Sequence, residues 1–412
     1  MIGKLLYLCP SCGEEDSLHQ IKKNIVCDNC QFTFSLNHEK ISINNTDYSI
    51  TELYDLIHQN LTVDQNFDEG VLRVSQPAIL RQGLHKIKYK GFGNTSSTIE
   101  VPGEIDRGIL QIERDKAVFR GKKKNWIFYK SEITGFTTNS NYFEFKIRHQ
   151  PFFQIYFEKE SPLKYEDLFL KWIESDSTVD KILEHQPYIL SKVPSAAKLL
   201  LGYAQIKNWN KREKFSVTEW LLHLMVGLPI TCFMKWYARL TFENKDLIPD
   251  NGPFILIMNH ESYLDPILMS TLSTRRIGFF TKSTSFTNRL LQPIFRAYRS
   301  MPNRRYEIDP HVVRLALKKI KAGECIGIFP EGERTWNGRL LSFKYNTVRF
   351  LMSVQIPIVV VKIEGAFKIL PRWTHRLQPG TVKIKVLRCF SLLPGKWDLS
   401  DLKNELESYY LN

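Results

Sequence analysis

Four cysteines near the amino terminus, Cys9, Cys12, Cys27 and Cys30, constrain this chain more tightly than any other feature. They form two C-x2-C pairs with fourteen residues between them. Each pair places two thiolates on one tight turn. Two such turns facing each other supply four soft ligands in a tetrahedron, the arrangement Zn²⁺ prefers. Pro10 and Gly13 suit the first turn, and Phe32 and Phe34 read as a strand leaving the second. A closed four-ligand set leaves no open position, so the expected ion is structural, not catalytic. The alternative is a pair of disulfides in a small secreted module, which needs a leader longer than Met1–Leu8. A reducing compartment is therefore expected, with Cys232, Cys325 and Cys389 as buried thiols. The sequons at Asn44, Asn60 and Asn94 are then coincidental.

Residues 1–36 resemble a zinc ribbon, a module that often binds nucleic acid or protein. The charge distribution bears on that choice. The net charge of +14 suggests a polyanionic partner, but it is unevenly spread. Residues 1–196 carry 24 basic and 26 acidic side chains, whereas residues 197–412 carry 33 and 17. The ribbon thus lies in the half with no basic surplus, and no nucleic acid is expected as a partner. With 43% apolar and 24% charged residues, wholesale disorder is excluded. A mean hydropathy of −0.26 argues against a polytopic membrane protein. A length of 412 residues asks for about three domains.

The pattern along the chain divides it further. Residues 37–66 read as a connector with a short helix, where Leu53, Leu56, Ile57 and Leu61 recur at helical spacing. Residues 67–175 are β-rich: short aromatic or β-branched runs such as Trp126–Tyr129, Tyr142–Ile147 and Phe152–Phe157 alternate with turn residues. A helical pattern over Tyr165–Ile173 closes the block. Many strands and one closing helix resemble a pleckstrin-homology-like or GRAM-like domain. Lys122, Lys123 and Lys124 fit either a solvated hairpin tip or a lipid-headgroup site. Residues 176–214 form a second connector.

Residues 215–242 are expected to form a membrane-associating helical hairpin. From Trp220 to Met234 no residue is charged, and Gly227 and Pro229 break the run. Fifteen residues are too few to span a bilayer, which takes about twenty. Lys235, Trp236, Tyr237 and Arg239 follow as interfacial anchors would. A buried core hairpin fits the same run. From residue 243 to 412 strand and helix patterns alternate, which predicts an α/β domain.

Two loops in that domain carry chemistry. Asn259-His260-Glu261-Ser262-Tyr263-Leu264-Asp265 follows an apolar strand. Ser262 and Asp265 have capping-box spacing and could serve only as a cap. If the helix starts at Ser262, Asp265 can reach back to the imidazole of His260, holding one tautomer and raising its basicity. Phe329-Pro330-Glu331-Gly332-Glu333-Arg334-Thr335 follows another strand and offers an arginine beside backbone amides, which suits phosphate.

Together these blocks resemble the glycerophospholipid acyltransferases of the lysophosphatidic-acid type, over about residues 215–395. Asn259, His260 and Asp265 match the first block, N-H-x4-D, and Glu331, Gly332 and Arg334 match E-G-x-R. Met301-Pro302-Asn303-Arg304 matches the second block, with Arg305 the alternative register, and Ile356–Val359 matches the fourth. Lys282 stands where the family has a lysine after its second strand. Glu333 replaces a common threonine, Val360 a proline and Asn346 a glycine.

The resemblance implies an enzyme that uses His260 and Asp265 to pass an acyl group to a lysophospholipid hydroxyl. The donor would be acyl-CoA or acyl-carrier protein. Asn259, Ser262, Lys282, Arg304, Glu331, Gly332 and Arg334 are the expected substrate-binding residues, and Cys9, Cys12, Cys27 and Cys30 the structural zinc ligands. No G-x-S-x-G elbow is present, so transfer without an acyl-enzyme is expected. The expected location is the cytoplasmic face of an anionic membrane, as a peripheral or monotopic protein, with the N-terminal domains available to a protein partner. The rival readings are a nucleic-acid binder and a membrane adaptor with an inactive domain. The intact His260 and Asp265 argue against the adaptor.

Overall fold

The computed structural model describes residues 5–21, 24–37, 40–43, 46–62, 70–90, 96–174, 217–272, 275–287, 290–303, 310–354, 356–374, 376–392 and 397–411. The connector expected at 176–214, and both Arg304 and Arg305, lie outside them.

The N-terminal half holds two antiparallel sheets. In the first, β1 (Leu18–Ile21), β2 (Asn24–Cys27), β3 (Thr33–Asn37), β4 (Lys40–Ile43) and β5 (Thr46–Ser49) pair in sequence order. The sheet begun in the cysteine module therefore runs on to Ser49, past the end expected at residue 36. Helix α1 (Ile50–Asn60) follows. Ser49 caps it with a complete capping box, accepting from Glu52 N while the Glu52 carboxylate accepts from Ser49 N.

Eight strands make the second sheet: β6 (Val71–Val74), β7 (Ala78–Lys90), β8 (Ser96–Glu113), β9 (Lys116–Gly121), β10 (Asn125–Tyr129), β11 (Ile133–Asn139), β12 (Tyr142–Ile147) and β13 (Phe152–Phe157). The path is β10-β9-β8-β7-β13-β12-β11, with β6 on β8. Helix α2 (Pro162–Glu174) closes this sheet, driving Phe169 against Phe143 at 4.6 Å and against Trp172 at 5.2 Å. One continuous apolar core joins the cysteine module, α1, this sheet and α2. That core also takes in Trp336 and Trp373 from the C-terminal half.

Residues 217–237 form one helical run instead of the expected hairpin: α3 (Val217–Leu222), a π turn over His223–Gly227 and α4 (Leu228–Tyr237). Pro229 lacks an N–H and crowds the preceding turn, and the π turn absorbs that mismatch without reversing the chain. Met234 and Ala238 are buried on one face. Trp220, Leu221, Leu224, Met225, Leu228 and Trp236 are exposed, Trp236 at 75%. Among the described residues no helix is long and apolar enough to cross a membrane.

The C-terminal half is the expected α/β layer. Its strands are β14 (Thr241–Glu243), β15 (Ile255–Met258), β16 (Ile277–Lys282), β17 (Met301–Asn303), β18 (Cys325–Ile328), β19 (Ile358–Glu364) and β20 (Lys383–Phe390). They lie in the order β14-β20-β19-β15-β18-β16-β17, all parallel to their neighbours except β19 with β20. The four residues of β15 and the four of β18 are all buried. Such unbroken apolar runs mark strands covered on both faces. The helices are α5 (Asp265–Ser270), α6 (Gln292–Ala297), α7 (Pro310–Lys321), α8 (Tyr345–Ser353), α9 (Ala366–Ile369) and α10 (Leu399–Leu411).

Candidate active site

Strands β15 and β18 are parallel neighbours, with Ile257 opposite Ile328. The two motif loops therefore leave the same sheet edge side by side, at the carboxyl ends of strands, where α/β sheets bind ligands. Lys282 ends β16, the next strand beyond β18.

The geometry centres on His260 and Asp265. Helix α5 starts at Asp265, three residues later than Ser262. The Ser262 hydroxyl accepts from Leu264 N at 3.2 Å and donates to Leu370 O at 2.9 Å, so it braces the turn. The Asp265 carboxylate reaches back over that turn. Its Oδ2 accepts from Glu261 N at 2.7 Å and Ser262 N at 2.8 Å, and lies 2.8 Å from His260 Nδ1. A carboxylate only accepts, so Nδ1 carries the proton and Nε2 keeps a basic lone pair. Asp265 is fully buried and the His260 side chain is 17% exposed. The imidazole stacks on Phe329 with ring centroids 3.9 Å apart. Burial pushes the Asp265 carboxyl up to about 7, against the pull of the Ser262 and Glu261 amides and the charge of Arg334.

The second loop clamps the first. Glu331 is buried, and its carboxylate accepts from His260 N at 2.7 Å and Leu341 N at 2.8 Å. Thr335 N donates to His260 O at 2.9 Å. Burial raises the Glu331 carboxyl well above the usual carboxylate range. Gly332 turns the loop at φ +75, a conformation L side chains rarely adopt, and a Cβ there would lie 3.3 Å from Lys344. The Arg334 guanidinium lies 3.3 Å above the centre of the Tyr263 ring. Asn259 is joined to β19: its amide accepts from Ile363 N at 2.7 Å and donates to Ile363 O at 2.8 Å and to Glu261 at 3.0 Å. Glu261 in turn accepts from Phe367 N at 3.0 Å.

His260, Asp265, Ser262, Glu331, Gly332 and Arg334 thus share one cluster. Lys282 reaches the N-terminal half instead, 3.1 Å from Glu144 and 3.3 Å from the Tyr142 hydroxyl. Glu333 also faces that half, accepting from Thr137 at 2.6 Å, while Arg372 of its own half donates to it at 3.2 Å. Thr335, Tyr263 and Phe329 were legible only as motif neighbours. Thr137, Tyr142 and Glu144 carried no sequence signal for the site, because they meet it only through packing of the two halves. Arg372 lies outside every motif and reaches the loop by donating to Arg334 O at 2.7 Å.

The four cysteine sulfurs lie within 4.8 Å of one another, with Cys9 to Cys30 and Cys12 to Cys27 both at 3.8 Å. Tetrahedral Zn–S bonds of about 2.3 Å separate the sulfurs by about 3.8 Å, so this cluster fits such an ion.

Residues 239–364 match the family model described as Acyltransferase. The chloroplastic 1-acyl-sn-glycerol-3-phosphate acyltransferase LPAT1 of Arabidopsis thaliana is 24% identical over 166 residues, 39% of this chain and 46% of that protein. A 1-acyl-sn-glycerol-3-phosphate acyltransferase of Bacillus subtilis (strain 168) is 24% identical over 123 residues, 30% of this chain and 61% of that protein. The human 1-acyl-sn-glycerol-3-phosphate acyltransferase beta is 26% identical over 158 residues, covering 37% and 57%. The chain thus spans about half the length of the curated relatives it matches. The crystal structure of the 1-acyl-sn-glycerophosphate acyltransferase PlsC from Thermotoga maritima aligns at a TM-score of 0.38 and 22% identity, over 45% of this chain and 77% of that one.

Proposed function

With an acyltransferase domain at residues 239–364, we propose that the chain moves a fatty acyl group from an acyl-CoA or acyl-carrier-protein thioester to the hydroxyl of a lysophospholipid such as 1-acylglycerol-3-phosphate. The reaction would serve phospholipid synthesis or remodelling. The contact between His260 Nδ1 and Asp265 Oδ2 carries this reading.

His260 Nε2 takes the proton of the acceptor hydroxyl as its oxygen attacks the thioester carbonyl carbon. Asp265 holds the imidazole in one tautomer and stabilises the imidazolium that forms. The tetrahedral intermediate collapses with departure of the thiolate, and the imidazolium returns the proton to that sulfur. Arg334 and Lys282, with Arg304 from outside the described residues, bind the acceptor phosphate and hold its hydroxyl near His260. Glu331 and Gly332 shape the loop that fixes the His260 main chain, and Asn259 and Ser262 brace it from β19 and the Leu370 segment.

The exposed apolar face of α3 and α4 is the proposed contact with an anionic membrane, as a peripheral or monotopic association on its cytoplasmic side. Trp236, at 75% exposed, and Met225, at 73%, would enter the interface beside Lys235. Cys9, Cys12, Cys27 and Cys30 would hold a structural Zn²⁺ that takes no part in the transfer.

The test is a matrix of acyl-CoA and acyl-carrier-protein donors against lysophospholipid acceptors, with His260→Ala as control. Transfer that disappears in the folded His260→Ala protein supports the reading. Transfer retained by that variant, or no transfer by the wild type with any pair, sinks it.

A further inference from the structure

The turn between β11 and β12 lies between two cations that sequence alone places in separate motifs. On one side, the Tyr263 ring that carries Arg334 donates its hydroxyl to Asn139 Oδ1 at 3.4 Å. Asn139 Nδ2 donates to the Tyr142 hydroxyl at 3.0 Å. On the other side, Lys282 Nζ donates to that same Tyr142 oxygen at 3.3 Å and pairs with Glu144 at 3.1 Å. The result is an unbroken chain, Arg334–Tyr263–Asn139–Tyr142–Lys282–Glu144, that crosses from one half of the molecule to the other and back.

Three features set this chain apart from ordinary domain packing. Glu144 has a buried side chain, 2% exposed, and it is itself held by Gln154 Nε2 at 2.6 Å. The Lys282 ammonium, at 18% exposed, is thereby kept at the turn and does not swing freely in water. The Tyr142 oxygen accepts from both Asn139 and Lys282, which occupies its two lone pairs. Its hydroxyl proton finds no acceptor among the described residues and is left for an oxygen that arrives from outside. The turn is also fastened in place: Arg372, buried beneath it, donates to Thr137 Oγ1 at 3.2 Å and to Thr138 O, and pairs with Glu333 at 3.2 Å.

We propose that the β11–β12 turn is the headgroup wall of the acceptor site, in which Asn139 and Tyr142 set specificity for a phosphate-bearing acceptor by spacing Arg334 from Lys282. Tyr142 donates its hydroxyl to a phosphate oxygen. Asn139 holds Tyr142 on one side and the ring under Arg334 on the other. The N-terminal half is then part of the site and not a separate recruiting module. This inference rests on the acceptor class argued above.

Calorimetry on the full chain tests it without requiring turnover. The probes are a short-chain, soluble 1-acylglycerol-3-phosphate and the uncharged 1-acylglycerol with the same acyl chain. Tyr142→Phe and Asn139→Ala should each weaken binding of the phosphate probe about tenfold while the affinity for the uncharged probe stays the same. Unchanged phosphate binding in both variants overturns the proposal. So does a parallel loss for both probes, which would mark a merely structural role, or a wild type that does not bind the phosphate probe. A wild type that binds but transfers no acyl group would sink the enzymatic reading and leave this one standing.

Discussion

The backbone N–H of His260 donates a 2.7 Å hydrogen bond to the carboxylate of Glu331, on the loop of the neighbouring strand. The second Glu331 oxygen accepts from Leu341 N, and Thr335 N returns a bond to His260 O. One buried carboxylate therefore sets where the histidine main chain sits relative to β18. Glu331→Gln keeps the size but turns an amide NH2 toward one of two backbone donors. Leaving that donor unpaired costs about 1–3 kcal/mol. The expected result is a fall in kcat of about tenfold or more with a lowered melting temperature. Steady-state kinetics and a thermal melt check it; an unchanged kcat would mean that this clamp does not position His260.

The acid side of the activity profile follows from Asp265. Burial pushes its carboxyl up to about 7, so below neutrality it takes a proton and stops accepting from His260 Nδ1. kcat/KM should therefore rise with pH through about 7. Stability runs the other way. A carboxyl raised above its unfolded value of about 3.9 stabilises the fold fully below that value, and this contribution is lost as pH rises through the folded value. Glu261, raised to about 8 by burial and by the nearby Asp265, adds in the same sense. Melting temperatures of the wild type and Asp265→Asn at pH 5 and pH 8 should show the variant losing less on going to pH 8. Equal losses would reject this account.

Much of the catalytic half was legible because its signals are local. Unbroken apolar runs mark the buried parallel strands, and motif loops directly after β15 and β18 mark the kind of sheet edge where α/β domains bind ligands. The His260–Asp265 contact followed from spacing, although the helix starts at Asp265 and not at Ser262. Two things were not legible, for physical reasons. A π turn is a backbone adjustment with no composition of its own, so Gly227 and Pro229 read as a hairpin break when the helix continues. The contacts of Glu144 with Lys282 and of Thr137 with Glu333 join residues 138 and 196 positions apart, and only packing of the two halves creates them. Glu333 stood out in the sequence as an acidic residue in place of a threonine. Its pairing with buried Arg372 gives that departure a structural reason.

The apolar face of α3 and α4 makes a separate prediction. Met225 and Trp236 are exposed at 73% and 75%, on a helix whose other face packs through Met234 into the core. A charge at either exposed position disturbs no buried contact but opposes entry into a lipid interface. Met225→Glu and Trp236→Glu should reduce co-sedimentation with anionic vesicles severalfold and leave the melting temperature within a degree or two. Vesicle binding equal to wild type in both variants would show that this face does not meet the membrane.

Metal removal should be felt well beyond the cysteines. The segments on either side of the first pair are fastened to the rest of the N-terminal half by polar contacts. Tyr7 donates to Asp167 on α2 at 2.6 Å, and Asp16 accepts from Ser161 N at 2.7 Å. Lys164 joins Asp16 and Glu160, and Glu15 pairs with buried Arg73. Leu5, Leu6, Tyr7 and Cys27 belong to the same core as Phe143 and Phe169. Without an ion, four thiols crowd within 4.8 Å with little to hold the two turns together. Purified protein should contain about one zinc per chain. Cys12→Ser, or treatment with a strong chelator, should lower the melting temperature by several degrees and expose core aromatics to solvent. Because α2 lies against β11 and β12, whose turn reaches Lys282, acceptor binding should weaken in step with the loss of metal. Elemental analysis, a melt and acceptor titration on the same sample make the test. A metal-free protein with unchanged melting and unchanged acceptor affinity would show that the cysteine module neither holds a structural ion nor supports the site.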